Sequence, residues 1–242
     1  MTSSRKLHWF SVVDSTMKVA CELASQGCPS GTVVGADEQT SGYGRYGRAW
    51  HSEAKSGLYV SLVLRLSIPP DSLPVVTLAL GLAATEAILR ATGISCDLRW
   101  PNDVMAAGKK CCGILVQLHE GVIIAGIGIN VNQSAFPEEL KGSATSLRIV
   151  SGAEQSREIL LERLLESVDS FMEILQSEGK DAILRMFAEA SSYVRGRRVV
   201  VEQGSTSLEG TTDGLDASGF LFLRTNNGQR TLILAGGVRP AS

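Results

Sequence analysis

Apolar positions along this chain follow two rhythms, one at strand spacing and one at helix spacing. Leu7–Val13, residues 32–36 and residues 58–66 each predict a strand. Between the first two, Val19, Ala20, Leu23 and Ala24 share one helical stripe. Ser15 or Thr16 can cap that helix, and Gly27 and Pro29 stop it. An Ala/Leu-rich helix over residues 73–91 closes at Gly93. Strands at 111–118 and Val122–Asn130 follow, joined by a tight turn at Glu120-Gly121. A long amphipathic helix covers residues 157–178 and breaks at Gly179. Its stripe of Leu160, Leu164, Val168, Phe171 and Leu175 reads as core.

The texture changes after residue 191. From Arg197 the runs RRVVVEQ, SLEGTT, GFLFLRT and RTLILAGG alternate with Gly-Ser, Asp-Gly, Ser-Gly and Asn-Gly pairs, which is the pattern of a small β-barrel. So short a barrel has to pack on the rest of the chain to be stable. The division expected is 1–190 and 191–242. Arg195, Arg197 and Arg198 open the second part. With no aromatic stacking platform beside them, they read as solvated strand residues and not as a nucleic-acid patch.

Composition adds bounds. At 242 residues and 44% hydrophobic content the chain can bury a full core, and its net charge of −2 draws it to neither nucleic acid nor membrane. The five cysteines (Cys21, Cys28, Cys96, Cys111, Cys112) are odd in number and lack CxxC spacing. That excludes a disulfide framework or a structural zinc and predicts buried or half-buried thiols. The N-terminal MTSSRKLHWF has no apolar signal core, and no uninterrupted apolar run looks long enough to span a bilayer. The expectation is a soluble, cytoplasmic protein.

Candidate chemistry starts at GYGRYGRAW, residues 42–50, which matches the dinucleotide fingerprint GxGxxG. The context is wrong for a nucleotide-binding βαβ unit. DEQTS separates the preceding strand from the first glycine, no apolar-faced helix follows, and the next element is the strand LYVSLVLR. The loop instead offers Gly42 and Gly44 amides that can approach an anion, with Arg45 and Arg48 for charge and Lys55 adding to them. It reads as a mobile phosphate-binding loop.

Three further motifs sharpen this. LRWPND, residues 98–103, ends a strand in a turn, with Pro101 holding Trp100 extended and Asn102 and Asp103 projecting beside the indole. Asp103 has the oxygen-donor chemistry for a Mg²⁺ carried on a nucleotide. In KKCCGILV an Ala107-Gly108 turn pairs Met105 with Lys110 and sets Asp103 and Lys110 diagonally, about 7–8 Å apart. In AGIGIN, Gly126, Gly128 and Asn130 share one face, and Gly113 lies opposite Gly128, so a bare strip is left for a flat ligand. Strict alternation puts Lys110 and Gly113 on opposite faces, and a bulge near the strand start would bring them together.

In order along the chain, DST at 14–16, EQTSGYGRYGRAW at 38–50, WPND, KKCCGIL, GIGIN and the β-rich C-terminal part together resemble the biotin protein ligases, also called biotin–[acetyl-CoA-carboxylase] ligases. The resemblance implies an α+β fold: a mixed, mostly antiparallel sheet with helices, like the class II synthetases, followed by a small SH3-like barrel. It implies an enzyme that joins biotin and Mg·ATP into biotinyl-5′-AMP, releases pyrophosphate, and passes the biotin to a lysine of a biotin carboxyl carrier protein domain. By this likeness Ser15, Thr16 and Gln39 hold the biotin head group, and Met17 stands where the family usually has an asparagine contact. Tyr43, Gly44 and Arg45 lie in the loop that closes over the adenylate, with Tyr43 replacing its first arginine. Lys110 meets carboxylate and phosphate, Trp50 packs on the ligand, and Asn130 meets the adenine. Lys110, Arg45 and Asp103 are the catalytic candidates.

The resemblance leaves room for a homodimer. With no winged-helix segment ahead of the first strand, the chain looks like the enzyme without the repressor. Two alternatives stay open: a lipoate–protein ligase-like enzyme, which shares the architecture, and a non-catalytic biotin- or nucleotide-binding regulator.

Overall fold

A computed structural model describes residues 5–69, 72–203 and 206–241, so residues 1–4 of the N-terminal segment and the Gly204-Ser205 pair lie outside it. The larger sheet has seven strands: β1 (Leu7–Val13), β2 (Val33–Gln39), β3 (Gly57–Leu64), β4 (Asp97–Arg99), β5 (Asp103–Ala106), β6 (Lys109–His119) and β7 (Val122–Asn130). Their order is β1-β2-β3-β7-β6-β5-β4. Helix α1 (Thr16–Ser25) crosses over between β1 and β2, which are therefore parallel; every other pair is antiparallel. The second sheet is all antiparallel, β8 (Arg195–Gln203), β9 (Thr206–Leu215), β10 (Leu221–Thr225), β11 (Arg230–Ile233) and β12 (Gly237–Pro240), in the order β11-β10-β9-β8-β12.

Strand alternation gives the large sheet two unlike faces. Leu58, Val60, Leu62, Ile127 and Ile129 bury into a core with α2 (Leu73–Thr92) and α4 (Arg157–Ser177), and the α4 stripe from Leu160 to Leu175 lies wholly inside it. The opposite face packs Val34, Val63 and Ile124 under Met17, Ala20 and Ala24 of α1. The described strands of the small sheet share the first core through Val199, Val201, Leu221 and Leu223, so the barrel does lean on the rest of the chain. Trp100 clamps the two sheets: it is 2% exposed and its Nε1 donates to the Gly219 carbonyl at 2.9 Å.

Several sequence expectations change. β2 runs on through Asp37, Glu38 and Gln39, because Val12 and Val13 of β1 pair with Glu38 and Gln39; partners across the ladder outweigh the poor strand propensity of those side chains. Asp213-Gly214 is no turn but lies inside β9, opposite a bulge in β8. Two helices lack a sequence forecast: α3 (Leu147–Ser151), one turn capped by the Ser146 hydroxyl, and α5 (Lys180–Ala190), which buries Ala182, Ile183 and Phe187. By length and composition α2 is apolar enough to cross a bilayer, but Glu86 interrupts its apolar run and 61% of its most apolar window is buried inside the protein. Trp100 precedes Pro101 through a cis peptide and is buried in the core. The five cysteines are free, two buried and three half-buried.

Candidate active site

A cavity of about 360 Å³ opens on the α1 face of the large sheet, within the range of small-molecule sites. One end is built by the start of α1 and the end of β2. Gln39 Oε1 accepts from the Thr16 amide at 2.8 Å and from its hydroxyl at 3.1 Å, and Thr16 Oγ1 also meets Ser61 Oγ at 2.8 Å. Gln39 Nε2 donates to Ser52 Oγ at 3.0 Å, which holds the amide in one orientation. Ser15 makes no side-chain cap. Its Oγ is buried without a partner among the described residues, although the residue lines the cavity. A buried hydroxyl left unpaired is costly, so this end suits a ligand that brings its own polar group.

Met17 and Tyr43 line the apolar side of the same end. The Met17 thioether lies over Gly126, where a Cβ would stand 2.7 Å from its sulfur. Tyr43 packs against the α1 cluster, and burial pushes its phenol pKa up. The side chain that replaces the family's first loop arginine therefore serves the apolar wall and leaves the basic cluster.

Residues 42–50 form a small hairpin over the cavity. Trp50 N donates to the Gly42 carbonyl, Gly44 N donates to the Arg48 carbonyl at 2.8 Å, and a single turn, Arg45–Gly47, makes the tip. The Gly44 amide is thus spent within the loop and does not face an anion, contrary to the amide-cradle reading. Charge comes from side chains. Arg45 Nη1 donates at 3.2 Å to both Asn102 Oδ1 and the Gly236 carbonyl of the small sheet, while Arg48 lines the cavity and stays exposed. Lys55 lies outside the cavity lining, and its charge acts on Asp37.

The bare glycine strip exists, with Gly113 opposite Gly128 and Gly128 opposite Tyr59. What lies on it is the Trp50 indole: a Cβ on Gly128 would stand 2.6 Å from Trp50 Cε2, and one on Gly113 2.8 Å from Cζ3. The strip seats the indole, and the indole floors the cavity. Trp50 Nε1 is also buried without a partner among the described residues. Asn130, 4% exposed, lines the cavity and donates to the Thr145 carbonyl at 3.0 Å.

Lys110 reaches this face through the bulge that its spacing required. Met105 pairs with Lys110 but Val104 pairs with Cys112, so Cys111 is the extra residue that turns Lys110 toward Gly113. Its backbone is held on the other side by residues 143–145, with Lys110 N donating to the Ser143 carbonyl and Thr145 N to that of Lys110. Nζ pairs with Asp103 Oδ1 at 2.5 Å and lies 5.2 Å from the Trp50 ring centre. Burial alone would push the Asp103 carboxyl up, but the charges of Lys110 and Arg99 outweigh it and hold the group below its ordinary value. Arg99 engages Asp103 Oδ2 at 2.7 Å.

In this arrangement Asp103 gives one oxygen to Lys110 and the other to Arg99, and no cluster of three metal-binding side chains occurs among the described residues. Not expected from the sequence are the parts played by Arg99, Ser143, Ala144, Gly236 and Gly237 in the lining, and by Ser52, Ser61 and Thr145 through their hydrogen bonds. Only Arg99, next to WPND, carried any local signal.

A mixed sheet carrying a half-polar slot that ends in a basic cluster, with a small second sheet closing the rim, defines a synthetase-like protein that brings a slender ligand to an anionic one. Comparison with known proteins narrows this. The model of the "Biotin/lipoate A/B protein ligase family" matches residues 9–134, and that of the "Biotin protein ligase C terminal domain" matches 195–238. The "Bifunctional ligase/repressor BirA" of Bacillus subtilis is 36% identical over 236 residues, covering 95% of this chain and 72% of the relative. A "Biotin--[acetyl-CoA-carboxylase] ligase" of Mycobacterium tuberculosis is 32% identical over 212 residues, 86% of this chain and 77% of the relative. Among solved structures, the biotin protein ligase from Aquifex aeolicus in complex with biotin and ATP superposes with a TM-score of 0.86 at 33% identity, covering 98% and 99% of the two chains. The chain belongs to the biotin/lipoate A/B protein ligase family.

Proposed function

We propose that this protein is an ATP-dependent biotin–protein ligase. It joins the biotin carboxylate to the α-phosphate of ATP, releases pyrophosphate, and transfers the biotinyl group to a lysine of a biotin carboxyl carrier protein. The observation that carries this is a slot whose far end offers an unpaired buried hydroxyl beside a fixed amide, and whose near end gathers Lys110, Arg45 and Arg48. A ureido ring has donors and acceptors for Ser15, Thr16 and Gln39. A dithiolane ring has none, and that favours biotin over lipoate.

In the first step a carboxylate oxygen attacks an already anionic phosphorus and pyrophosphate departs. Positive charge fixed at that point lowers the barrier, because negative charge accumulates there in the transition state. Lys110, paired with Asp103 before the ligands arrive, supplies it, and Arg45 adds to it. Any magnesium enters on the nucleotide's own phosphates. In the second step the carrier lysine's amine attacks the acyl carbon and AMP leaves. Trp50 and the loop exclude water from the anhydride meanwhile. Residues 1–190 act as the catalytic domain, and 191–242 close its rim through Gly236.

Biotin-dependent exchange of labelled pyrophosphate into ATP tests the reading; a non-catalytic regulator would give none. The loop supplies a second test. Arg48 is exposed on a hairpin tied down mainly through Arg45, so trypsin cuts after Arg45 or Arg48 in the free protein. Adding biotin and ATP slows that cleavage severalfold. Equal rates with and without ligands would defeat the closing-lid role.

A further inference from the structure

We propose that Arg99 is a positioning residue for the adenylation step. It keeps Asp103 compensated as a carboxylate, so that Lys110 can leave its ion pair for the α-phosphate with no proton moving. The inference rests on the ligase reading above.

Asp103 divides its two oxygens between two cations. Oδ2 accepts from Arg99 Nε at 3.2 Å and Nη2 at 2.7 Å, while Oδ1 takes Lys110 Nζ at 2.5 Å. Arg99 and Asp103 are direct partners across the β4–β5 ladder, so the fork is fixed by backbone register. Lys110 has a long stem and the more exposed side chain, 28% against 18% for Arg99. All three line the cavity. Of the two cations, one is locked and the other can move.

A buried ion pair of only two members resists opening, because removing the lysine strands an uncompensated carboxylate. A third member changes this: Arg99 neutralises Asp103 whether or not Lys110 is present. Other titratable or charged groups near Asp103 do not substitute. The Cys112 thiol from β6 is kept protonated by burial, and Arg45 reaches this turn only through Asn102.

The test is biotin-dependent pyrophosphate exchange by folded Arg99→Gln, Arg99→Lys, Asp103→Asn and Arg99→Gln/Asp103→Asn proteins between about pH 6 and pH 8. Wild-type exchange reports on the ligase reading; the ratio of each variant to wild type reports on Arg99. At pH 8, Arg99→Gln should lower kcat by about 10- to 100-fold, the scale seen when an outer partner of a site is lost, with KM for biotin within about twofold. The deficit should narrow toward pH 6. Without Arg99 the carboxyl pKa rises, and a proton can then replace Lys110 as it departs. Arg99→Lys keeps the charge and should retain most of the rate with the wild-type pH profile. In the Asp103→Asn background the glutamine substitution should cost nothing further. A pH-independent deficit in Arg99→Gln, an additive loss in the double variant, or a pH-independent loss in Arg99→Lys would overturn the proposal.

Discussion

Lys110→Ala should lower biotin-dependent pyrophosphate exchange by about 10²–10³-fold, roughly 2.7–4 kcal/mol of transition-state stabilisation and the scale of one preorganised electrostatic group. Folding should survive, because Asp103 keeps Arg99 at Oδ2 and the Lys110 backbone hydrogen bonds to residues 143–145 do not need the side chain. Lys110→Arg should rescue only in part. A planar fork in place of a compact ammonium would meet Asp103 and Trp50 differently, since Nζ now sits 2.5 Å from one and 5.2 Å from the ring centre of the other. Ready-made biotinyl-5′-AMP should restore only part of the transfer to carrier protein, because AMP departs with the same phosphate. Exchange at the wild-type rate in a folded alanine variant would return Lys110 to a structural role.

The second large effect is expected at Gly128. Valine suits a strand, and the face it would occupy is the cavity side, so the core below β7 stays filled by Ile127 and Ile129. The new side chain meets the Trp50 indole, whose Cε2, Nε1 and Cζ2 lie 2.6–2.8 Å from the position of the first added carbon. The indole has to move by an ångström or more, and a displacement of that size near the reacting groups costs on the order of 10²-fold in rate. Biotin affinity, read by calorimetry, should fall with it, and circular dichroism should be unchanged. Undiminished affinity and rate in folded Gly128→Val would show that neither the strip nor the indole it seats forms the floor of the site.

Much of the site was legible because its parts are local. The Ala107-Gly108 turn fixes which residues of β5 and β6 face each other, and both glycyl turns adopt the positive φ values that such two-residue connections need. That register gives the Met105–Lys110 pair, the Glu120-Gly121 turn gives the Gly113–Gly128 pair, and strand alternation then requires a bulge between Lys110 and Gly113. The diagonal spacing expected for Asp103 and Lys110 concerns their backbone positions, and the lysine stem spans it to form the ion pair. The Gly44 amide drops out of the expected cradle because a glycine's freedom is visible in sequence, but the acceptor that captures its N–H is not.

By itself, the sequence determined the strand and helix periods, the tight turns, the dependence of the C-terminal sheet on a larger partner, and an ordered set of motifs whose chemistry pointed to one family. Each of these follows from contacts within a few residues or from side-chain type. Only the tertiary structure decided that Arg99 shares Asp103 with Lys110, that Trp50 covers the glycine strip, that Tyr43 turns to the apolar wall, and that Gly236 of the small sheet receives Arg45. Those depend on which elements pack against one another across the chain. Long-range packing sets the partner of a side chain, and the residue's own neighbours in sequence carry almost no record of it.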